Sequence, residues 1–401
     1  MEYQAFKALL TPDGQAVLQA ADQIAPRRAD FLGAYTHLCR RFPPELARAA
    51  LETAILRREA ADKFPFAGQM YFTREALEQA SGWEVANYRA ERYRPFQLLA
   101  DLGCSIGGDT LALARLSHTL GIDCDPLRLA MAQANAGIPT LRDQIALGGV
   151  EFIQADLTSS LPLKQNPGLG LFFDPARRRD GRRIYTVHDY RPSLDVVKEW
   201  LPSYPTLGVK VSPGVRLAEL STFEAEVEFI SHQGALKEAT LWFGPLKTAP
   251  RRATLLPGPH TLAPGGESSL ETSKPRAILY EPDPAVLRAG LVAELGQTLG
   301  AAQLDPDIAY LTADRLTPTP FARAWPIEAW FPFNLKRLRA YLRERRVGEV
   351  VVKKRGSPLQ PESLRQALRL KPSSDGCPER RLVVLTHLRG RPIVVICFPG
   401  D

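Results

Sequence analysis

The spacing of apolar and polar positions changes along this 401-residue chain. In residues 1–92, apolar side chains recur three and four apart among strong helix formers, which predicts an N-terminal helical region. In residues 93–245, short apolar runs alternate with helical stretches, which predicts an α/β domain whose parallel sheet is covered on both faces. The predicted strands are 96–102, 119–123, 150–156, 169–174 and 207–212, and the predicted helices between them are 109–116, 126–136 and 193–201.

The end of this alternation departs from a plain nucleotide-binding sheet. Residues 227–232 and 236–243 flank a Gln-Gly-Ala turn and predict an antiparallel hairpin, which would complete a seven-stranded sheet. Residues 246–275 are rich in Pro, Gly, Ser and Thr, which predicts a linker. Residues 276–401 predict a second domain of the α+β class. Its predicted helices are 284–299, 334–346 and 361–370, its strands are 308–312 and 349–354, and its closing hairpin is 382–388 with 392–398.

Composition is that of a globular protein, with 45% hydrophobic and 24% charged residues. No run of about 18 apolar residues occurs, so we expect no membrane span. The five cysteines are scattered without a CxxC pair. This spacing favours neither a disulfide framework nor a metal site, and we expect a reducing, cytoplasmic location.

Positive charge is concentrated near the end of the chain. Residues 334–391 contain sixteen Lys or Arg and five Asp or Glu, a net charge of +11. Subtracting this from the net +7 of the whole chain leaves −4 for the rest. Such asymmetry favours a nucleic-acid-facing module beside a neutral domain, and a solvated arginine-rich surface is the alternative.

The most informative segment follows the first predicted strand. The apolar run ends in Asp101-Leu102-Gly103 and turns through Gly107-Gly108 into a helical pattern. This order of strand, glycine turn and helix allows a ligand to approach the backbone closely, because glycine has no side chain. The glycine spacing is not G-x-G-x-x-G, so a dinucleotide is a poor first hypothesis.

Four aspartates end four successive predicted strands: Asp101, Asp123, Asp156 and Asp174. The carboxyl ends of strands in an open α/β sheet line one crevice, so we expect these side chains to converge. Any one of them alone could be a helix cap, which is our interpretation of Asp125 in Asp-Pro. Together they predict a ligand site.

These motifs resemble those of class I S-adenosylmethionine-dependent methyltransferases, in particular a bacterial family with a C-terminal THUMP-like domain. The resemblance implies a Rossmann-like class I fold with S-adenosylmethionine as cofactor. THUMP domains proper bind RNA, so it also implies an RNA partner. The first domain is more distantly similar to trimethylguanosine synthases, which carry Ser-Pro-Pro-Trp where this chain has Asp-Pro-Ala-Arg. The matching segments are residues 71–81, the glycine turn, and residues 174–178, 210–214, 234–242 and 351–356.

The resemblance assigns cofactor-binding roles. Asp101 would face the amino group of the methionine moiety, directly or through water, while Gly103 and Gly107 would let backbone amides approach it. Gln79 and Ser81 are further candidate contacts, from a segment that can fold over the cofactor.

On the nucleoside side, the Asp123 carboxylate would accept hydrogen bonds from both ribose hydroxyls. Asp156 would accept from the adenine amino group while the backbone of Leu157 meets the ring.

Asp174 and Pro175 stand where enzymes that methylate exocyclic amines carry Asn/Asp-Pro-Pro-Tyr/Phe/Trp. The carboxylate and the following carbonyl would accept the hydrogens of the amine and aim its lone pair, so that catalysis is mostly positioning. Arg177 replaces the aromatic residue and could stack on a base through its guanidinium plane. Residues 209–214 contain no nucleophilic cysteine, which disfavours covalent chemistry at uracil C5.

The chain is therefore interpreted as a methyltransferase acting on a base nitrogen in structured RNA, either tRNA or rRNA. The alternatives are a small-molecule or protein methyltransferase, and a non-catalytic protein that binds cofactor and RNA. Neither the target nucleotide nor the oligomeric state follows from the sequence. Candidate phosphate contacts are Arg178, Lys210, Lys353, Lys354 and Arg355.

Overall fold

The computed structural model describes residues 1–146, 148–158, 160–176, 178–179, 182–183, 186–370 and 379–399, with the backbone alone for 178–179 and 182–183. The chain divides into two compact units. The first contains residues Met1–Val227 and Lys237–Thr248, and the second contains Glu228–Leu236 and Ala249–Asp401.

Helices occupy the N-terminal part of the first unit, as the apolar spacing predicts. The hydroxyl of Thr11 accepts from the Gly14 amide at the start of the second helix, whose first residue is proline. Within this region, residues 74–90 form two helices, because Ala80 leaves the helical conformation with ψ of 141° and Gly82 caps a new helix. The helices are α1 Tyr3–Leu9, α2 Pro12–Ile24, α3 Phe31–Leu38, α4 Pro44–Glu59, α5 Arg74–Gln79 and α6 Trp83–Ala90.

A parallel sheet follows. Its central strand β1 lies between β2 and β4, and the parallel order is β7-β4-β1-β2-β3 with β9 antiparallel to β7. Strands β4 and β7 are buried along their whole length, which explains why each is a continuous apolar run. The strands of this part of the chain are β1 Leu98–Leu102, β2 His118–Asp123, β3 Val150–Gln154, β4 Leu169–Phe173, β5 Arg178–Arg179, β6 Arg182–Arg183, β7 Leu207–Val211, β8 Glu226–His232 and β9 Ala235–Trp242, of which β5 and β6 form a separate two-stranded sheet.

In the part of the chain that the structure describes, five helices connect these strands. The sequence predicts α8 at its observed bounds, and α7 directly continues the glycine turn. The helices are α7 Gly108–Ala114, α8 Pro126–Ala136, α9 Pro139–Arg142, α10 Val196–Trp200 and α11 Leu217–Leu220.

The second unit is built on a seven-stranded sheet of order β13-β14-β12-β15-β18-β17-β16. Strands β10 and β11 pair with each other, and β10 neighbours β8. The strands are β10 Arg251–Leu256, β11 His260–Leu262, β12 Ile278–Pro282, β13 Ala302–Asp305, β14 Ile308–Ala313, β15 Ala322–Pro332, β16 Val347–Lys354, β17 Glu379–Leu388 and β18 Arg391–Cys397, and the helices are α12 Pro284–Ala289, α13 Val292–Leu299, α14 Leu335–Glu344 and α15 Pro361–Leu368.

The second unit differs from the prediction in several places, and strands β12, β13 and β15 have no predicted counterpart. Residues 246–275 are predicted as a linker but contain β10 and β11, which pair as an antiparallel hairpin. The Pro-Gly-Pro turn of this hairpin is part of the proline-rich composition that led to the linker prediction. The predicted helix 284–299 is two helices, because Gly290 adopts a left-handed conformation with φ of +65° and ends the first one. Across the described residues, no helix is long and apolar enough to cross a membrane.

Candidate active site

A cavity opens in the first unit where strands β1, β2, β3 and β4 end. The end of α5 forms one wall, and the glycine turn after β1 forms another. Four of its lining side chains are carboxylates and two are guanidinium groups. The lining residues are Ala76, Gln79, Ala80, Gly103, Cys104, Ser105, Ile106, Gly108, Asp109, Asp123, Cys124, Arg128, Ala155, Asp156, Leu157, Thr158, Phe173, Asp174, Pro175, Ala176, Arg191 and Pro192.

The turn after β1 needs glycine at two positions. Gly103 and Gly107 have φ of +81° and +83°, a left-handed region that side chains rarely adopt. A Cβ atom on Gly103 would lie 2.8 Å from the carbonyl oxygen of Asp174, and one on Gly107 would lie 3.2 Å from Cβ of Ala132 in α8. Gly103 therefore allows two loops of the site to touch, whereas Gly107, which is not among the lining residues, lets α7 pack on α8.

Asp123 is held at the end of β2 by backbone donors. The Ser105 amide donates to Oδ2 at 2.8 Å, and the Asp125 amide donates to Oδ1 at 2.9 Å. Each carboxylate oxygen keeps a lone pair for a ligand, because an oxygen can accept two hydrogen bonds. Asp125 caps α8, since its Oδ1 accepts from the amides of Leu127 and Arg128, as its Asp-Pro motif indicates.

Asp156 lies just beyond β3 with its side chain exposed at the cavity. Its Oδ1 accepts from the amide and the hydroxyl of Thr158, and these hydrogen bonds lower the pKa of the Asp156 carboxyl. Leu157 lines the cavity beside it. The structure thus brings Gly103, Asp123, Asp156 and Leu157 to one cavity, as the sequence predicts.

Asp101 is an exception. Its side chain is only 1% exposed and is not among the cavity-lining groups. Thr110 donates to Oδ2 at 2.6 Å, and Oδ1 has no hydrogen-bond partner among the described residues. Burial, together with the nearby Asp109 carboxylate, raises the pKa of Asp101 well above its usual range. Direct contact between Asp101 and a ligand is therefore disfavoured, and the carboxylate that faces the cavity beside this turn is Asp109.

Asp109 belongs to a buried network of ion pairs that the sequence does not predict. The Arg89 guanidinium bonds to the Asp109 carboxylate and to Ser81 Oγ, and its Nε lies 2.8 Å from Oε1 of Glu238. It also lies over the ring of Phe172, 4.4 Å from the ring centre. Burial opposes the charged form of Arg89, but the Asp109 and Glu238 carboxylates outweigh it and raise the pKa of Arg89. Ser81, predicted as a cofactor contact, instead completes this network and is absent from the cavity lining.

Asp174 and Pro175 line the cavity where β4 ends. The Lys210 Nζ donates to Asp174 Oδ2 at 2.7 Å and to the backbone carbonyl of Gln79 at 3.0 Å. Lys210 is only 1% exposed, which disfavours its predicted role as a phosphate contact. The same lysine joins the end of α5, where Gln79 lines the cavity, to the cavity-lining Asp174.

The remaining candidates lie elsewhere. Arg177 falls outside the described residues, and the Arg178 backbone pairs with Arg183 in the short β5–β6 ladder. The other three candidates, in or directly after β16 of the second unit, have partners there. Lys353 pairs with Glu281, Lys354 donates to Gln360 at 2.9 Å, and the Arg355 guanidinium lies 5.3 Å from the ring centre of Tyr310.

This combination of features defines a class I methyltransferase: a parallel sheet with an antiparallel strand beside β7, a glycine turn after the first strand, and carboxylates at the following strand ends. The cavity also suits the charge of S-adenosylmethionine, whose sulfonium and ammonium groups outnumber its one carboxylate. Its lining carries more carboxylates than guanidinium groups, and the glycine turn leaves backbone exposed there. Asp123, Asp156 and Leu157 would hold the nucleoside, and the Asp109 side of the turn would hold the methionine moiety.

Comparison with known proteins supports the assignment to the class I methyltransferases. An uncharacterized S-adenosylmethionine-dependent methyltransferase of Mycobacterium tuberculosis is 36% identical over 335 residues, which are 80% of this chain and 89% of that protein. A crystal structure of a Porphyromonas gingivalis W83 protein, assigned there as a methyltransferase, has a TM-score of 0.74 at 20% identity and covers 98% of this chain and 99% of that one. Residues 322–399 match the THUMP domain-like family, and residues 2–60 match a domain of unknown function.

The chain therefore belongs to the S-adenosylmethionine-dependent methyltransferases, and S-adenosylmethionine is its methyl donor. The expected class I fold and the THUMP-like C-terminal domain are confirmed. The roles of individual site residues and the more distant similarity to trimethylguanosine synthases stay predictions.

Proposed function

We propose that this methyltransferase modifies a base nitrogen in structured RNA, tRNA or rRNA, in the cytoplasm. The observation that carries this proposal is the position of Asp174 and Pro175. They line the same cavity as Asp123 and Asp156, so an acceptor held by Asp174 would lie beside the methyl donor.

Asp174 would act on the acceptor by positioning it. Its carboxylate can accept an N–H hydrogen bond from a base amine, which fixes the direction of the nitrogen lone pair. When bound, S-adenosylmethionine supplies a methyl group activated by the adjacent sulfonium. Methylation forms the nitrogen–carbon bond, breaks the carbon–sulfur bond and releases one proton from the nitrogen, which water at the open cavity can accept. Such a reaction needs alignment more than a strong base.

Lys210 supports this role. Its ammonium group neutralises Asp174 and bonds to one carboxylate oxygen, Oδ2, which restricts the direction in which Oδ1 points. Lys210 also donates a hydrogen bond to the Gln79 carbonyl. This bond fixes the end of α5, which lines the cofactor cavity, relative to the aspartate that would face the acceptor. A charge-assisted hydrogen bond of this kind is stronger than a neutral one.

RNA is supported as the substrate by the second unit. Residues 322–399 match the THUMP domain-like family, and the segment 334–391 carries a net charge of +11. Cations on a protein surface attract a polyanion independently of its sequence. An aspartate-proline motif beside the methyl donor then provides the part that recognises a base.

Two measurements test the proposal. The purified protein, with S-adenosylmethionine carrying a labelled methyl group, should methylate total RNA from a strain that lacks this gene, and RNA from the parent strain should accept much less label. Mass spectrometry of nucleosides from the two strains should show one N-methylated nucleoside missing from the deletion strain. Labelling of protein or small molecules only, with identical nucleosides in both strains, would overturn the RNA assignment.

A further inference from the structure

We propose that one face of α14 and the turn after it bind the phosphate backbone of RNA. This surface, the α14 basic face, consists of Lys336, Arg337, Arg343 and Arg346. The inference rests on the proposed function, because it names the part of the second unit that would hold the RNA substrate.

The helix is divided sharply between apolar and basic positions. Leu338 and Leu342 are fully buried in a core with Leu364 and Leu368 of α15. All four residues of the α14 basic face are exposed. Lys336 and Arg343 are seven positions apart and so share one side of the helix, separated by about 10 Å at 1.5 Å per residue. Cations repeated along one line match a polyanion better than a single small anion.

The other cations of this segment are already engaged. Arg339 donates to the carbonyl of Ala367, and Arg345 pairs with Glu328 at 3.0 Å. None of the four basic-face residues forms an ion pair with any residue that the structure describes. The Arg337 guanidinium lies 4.3 Å from the ring centre of Phe331, a contact that orients it without neutralising it.

The charge pattern works against the stability of the helix itself. Lys336 and Arg337 lie in the first turn, where the macrodipole disfavours cations, and no acidic residue lies there to compensate. Arg339 and Arg343 are four apart and repel each other. Both effects destabilise α14. A bound polyanion would make the charges at these positions favourable. A purely structural role does not explain why cations occupy positions where they destabilise the helix.

The β16 candidates compare poorly as phosphate ligands. Lys353 is paired with Glu281 and lies 4.7 Å from the ring centre of Trp325, so moving to a phosphate would break two contacts. Lys354 and Arg355 also have partners within the unit. Among the described residues, the α14 basic face has four cations without an ion pair, whereas the β16 candidates have two.

The face also favours RNA over an anionic membrane. Peripheral membrane helices combine basic residues with large apolar side chains that insert between lipids. The exposed large apolar side chains of the described chain are Leu10, Ile24, Leu32, Leu217, Leu316 and Phe398, and none of them is on α14. A surface that offers charge without apolar anchors fits a phosphate backbone.

The test is the salt dependence of binding to unfractionated bacterial tRNA and to ribosomal RNA. The full-length quadruple variant K336Q/R337Q/R343Q/R346Q should bind at least about tenfold more weakly than wild type at 0.1 M salt. Each phosphate contact contributes about 0.7–0.9 to the slope of log K against log salt, so the slope should fall by about 3. The two double variants K336Q/R337Q and R343Q/R346Q should each lower the slope by about half of that.

A matched control removes the same charge elsewhere. Arg27, Arg28, Arg40 and Arg41 are exposed in the first unit, and Arg41 lies over Phe42 much as Arg337 lies over Phe331. R27Q/R28Q/R40Q/R41Q should keep the wild-type slope. Thermal unfolding should show that the α14 variant is folded, with a midpoint equal to or above that of wild type because repulsions are removed.

The outcomes separate the two proposals. If wild type binds RNA and the α14 variant binds equally well with the same slope, the inference is wrong while the proposed function stands. If wild type binds neither RNA, the RNA assignment itself fails. If the α14 variant instead loses binding to phosphatidylserine vesicles or to an acidic polypeptide such as polyglutamate, and not to RNA, the face serves another partner and the inference is overturned.

Discussion

The Nζ atom of Lys210 lies 2.7 Å from Oδ2 of Asp174, so the carboxylate that we propose faces the acceptor is bonded to a buried ammonium group. In Lys210→Met, Asp174 loses this partner and can turn within the cavity. Since misplacement by about 1 Å can cost 10²-fold in rate, we expect kcat to fall by about 100-fold. Calorimetry should show S-adenosylmethionine affinity reduced by less than about tenfold, because the carboxylates proposed to bind the cofactor are unchanged.

The control for this change is Lys198→Met. Lys198 forms an exposed pair with Asp195 at 3.1 Å, so the same bond type is removed at two residues that do not line the cavity. Its methyl-transfer rate should equal that of wild type. A Lys210→Met enzyme with wild-type kcat would show that Asp174 does not depend on Lys210.

Asp123→Asn should weaken S-adenosylmethionine binding. Hydrogen bonds to a charged group contribute about 1.5–3 kcal/mol, so calorimetry should show a Kd roughly 10- to 150-fold higher. Asp125→Asn makes the same chemical change two residues away. Because asparagine caps helices as well as aspartate does, this variant should keep both stability and cofactor affinity. Equal affinities for the two variants would contradict the assigned role of Asp123.

Gly103→Ala should lose activity for a steric reason. The new Cβ atom would lie 2.8 Å from the Asp174 carbonyl oxygen, and the left-handed conformation adds about 1–2 kcal/mol of strain. Gly149 has a similar φ of +78° but no atom within 4 Å of its Cβ position. Gly149→Ala should therefore lose comparable stability in urea unfolding while keeping the methyl-transfer rate. Full activity in Gly103→Ala would show that the two loops can separate without cost.

Arg89→Met should destabilise the first unit, because it leaves Asp109 and Glu238 buried without their cation. Removing one partner of a buried pair costs about 3–5 kcal/mol. Arg94→Met removes a pair with Glu91 in which the Arg94 side chain is 66% exposed, and its cost should stay below about 1 kcal/mol. Urea unfolding monitored by tryptophan fluorescence compares the two. The double variant Arg89→Met/Glu238→Gln should recover part of the loss, and no recovery would contradict the pairing.

Lys63 makes stability depend on pH. Burial, with the nearby Lys210 and Lys237 charges, lowers its pKa to about 8 from 10.5. Between these two values the unfolded chain binds more protons at this site than the folded chain does. The contribution of Lys63 to the free energy of unfolding should therefore rise from pH 8 to pH 10.5. Urea unfolding of wild type minus that of Lys63→Met, measured at several pH values, should show this rise, and a flat difference would contradict the shifted pKa.

Local patterns in the sequence predict much of the first unit. Continuous apolar runs give β4 and β7, and the strand-end position of Asp123, Asp156 and Asp174 is enough to bring them to one cavity. These features depend on period and chain order, which the sequence carries directly. The glycine turn is equally local, since Gly103 and Gly107 both adopt a positive φ.

The rest depends on contacts between distant parts of the chain. Neither the Arg89 network nor the Lys210–Asp174 bond has a local signature, because the partners lie on different elements. Asp101 shares the pattern of the other strand-end aspartates, yet its side chain points to Thr110 instead of the cavity. Composition also misleads for residues 246–275, where prolines and a glycine form the turn of a hairpin.

The contact between Gly103 and the Asp174 carbonyl has a consequence for how such an enzyme can change its specificity. The loop that holds the donor and the loop that faces the acceptor have no free space between them, so neither can be exchanged alone. Divergence toward a new acceptor can instead begin at Ala176, Arg191 and Pro192, which line the cavity and are not part of this contact. A loop transplanted from another methyltransferase would have to arrive together with its own glycine turn.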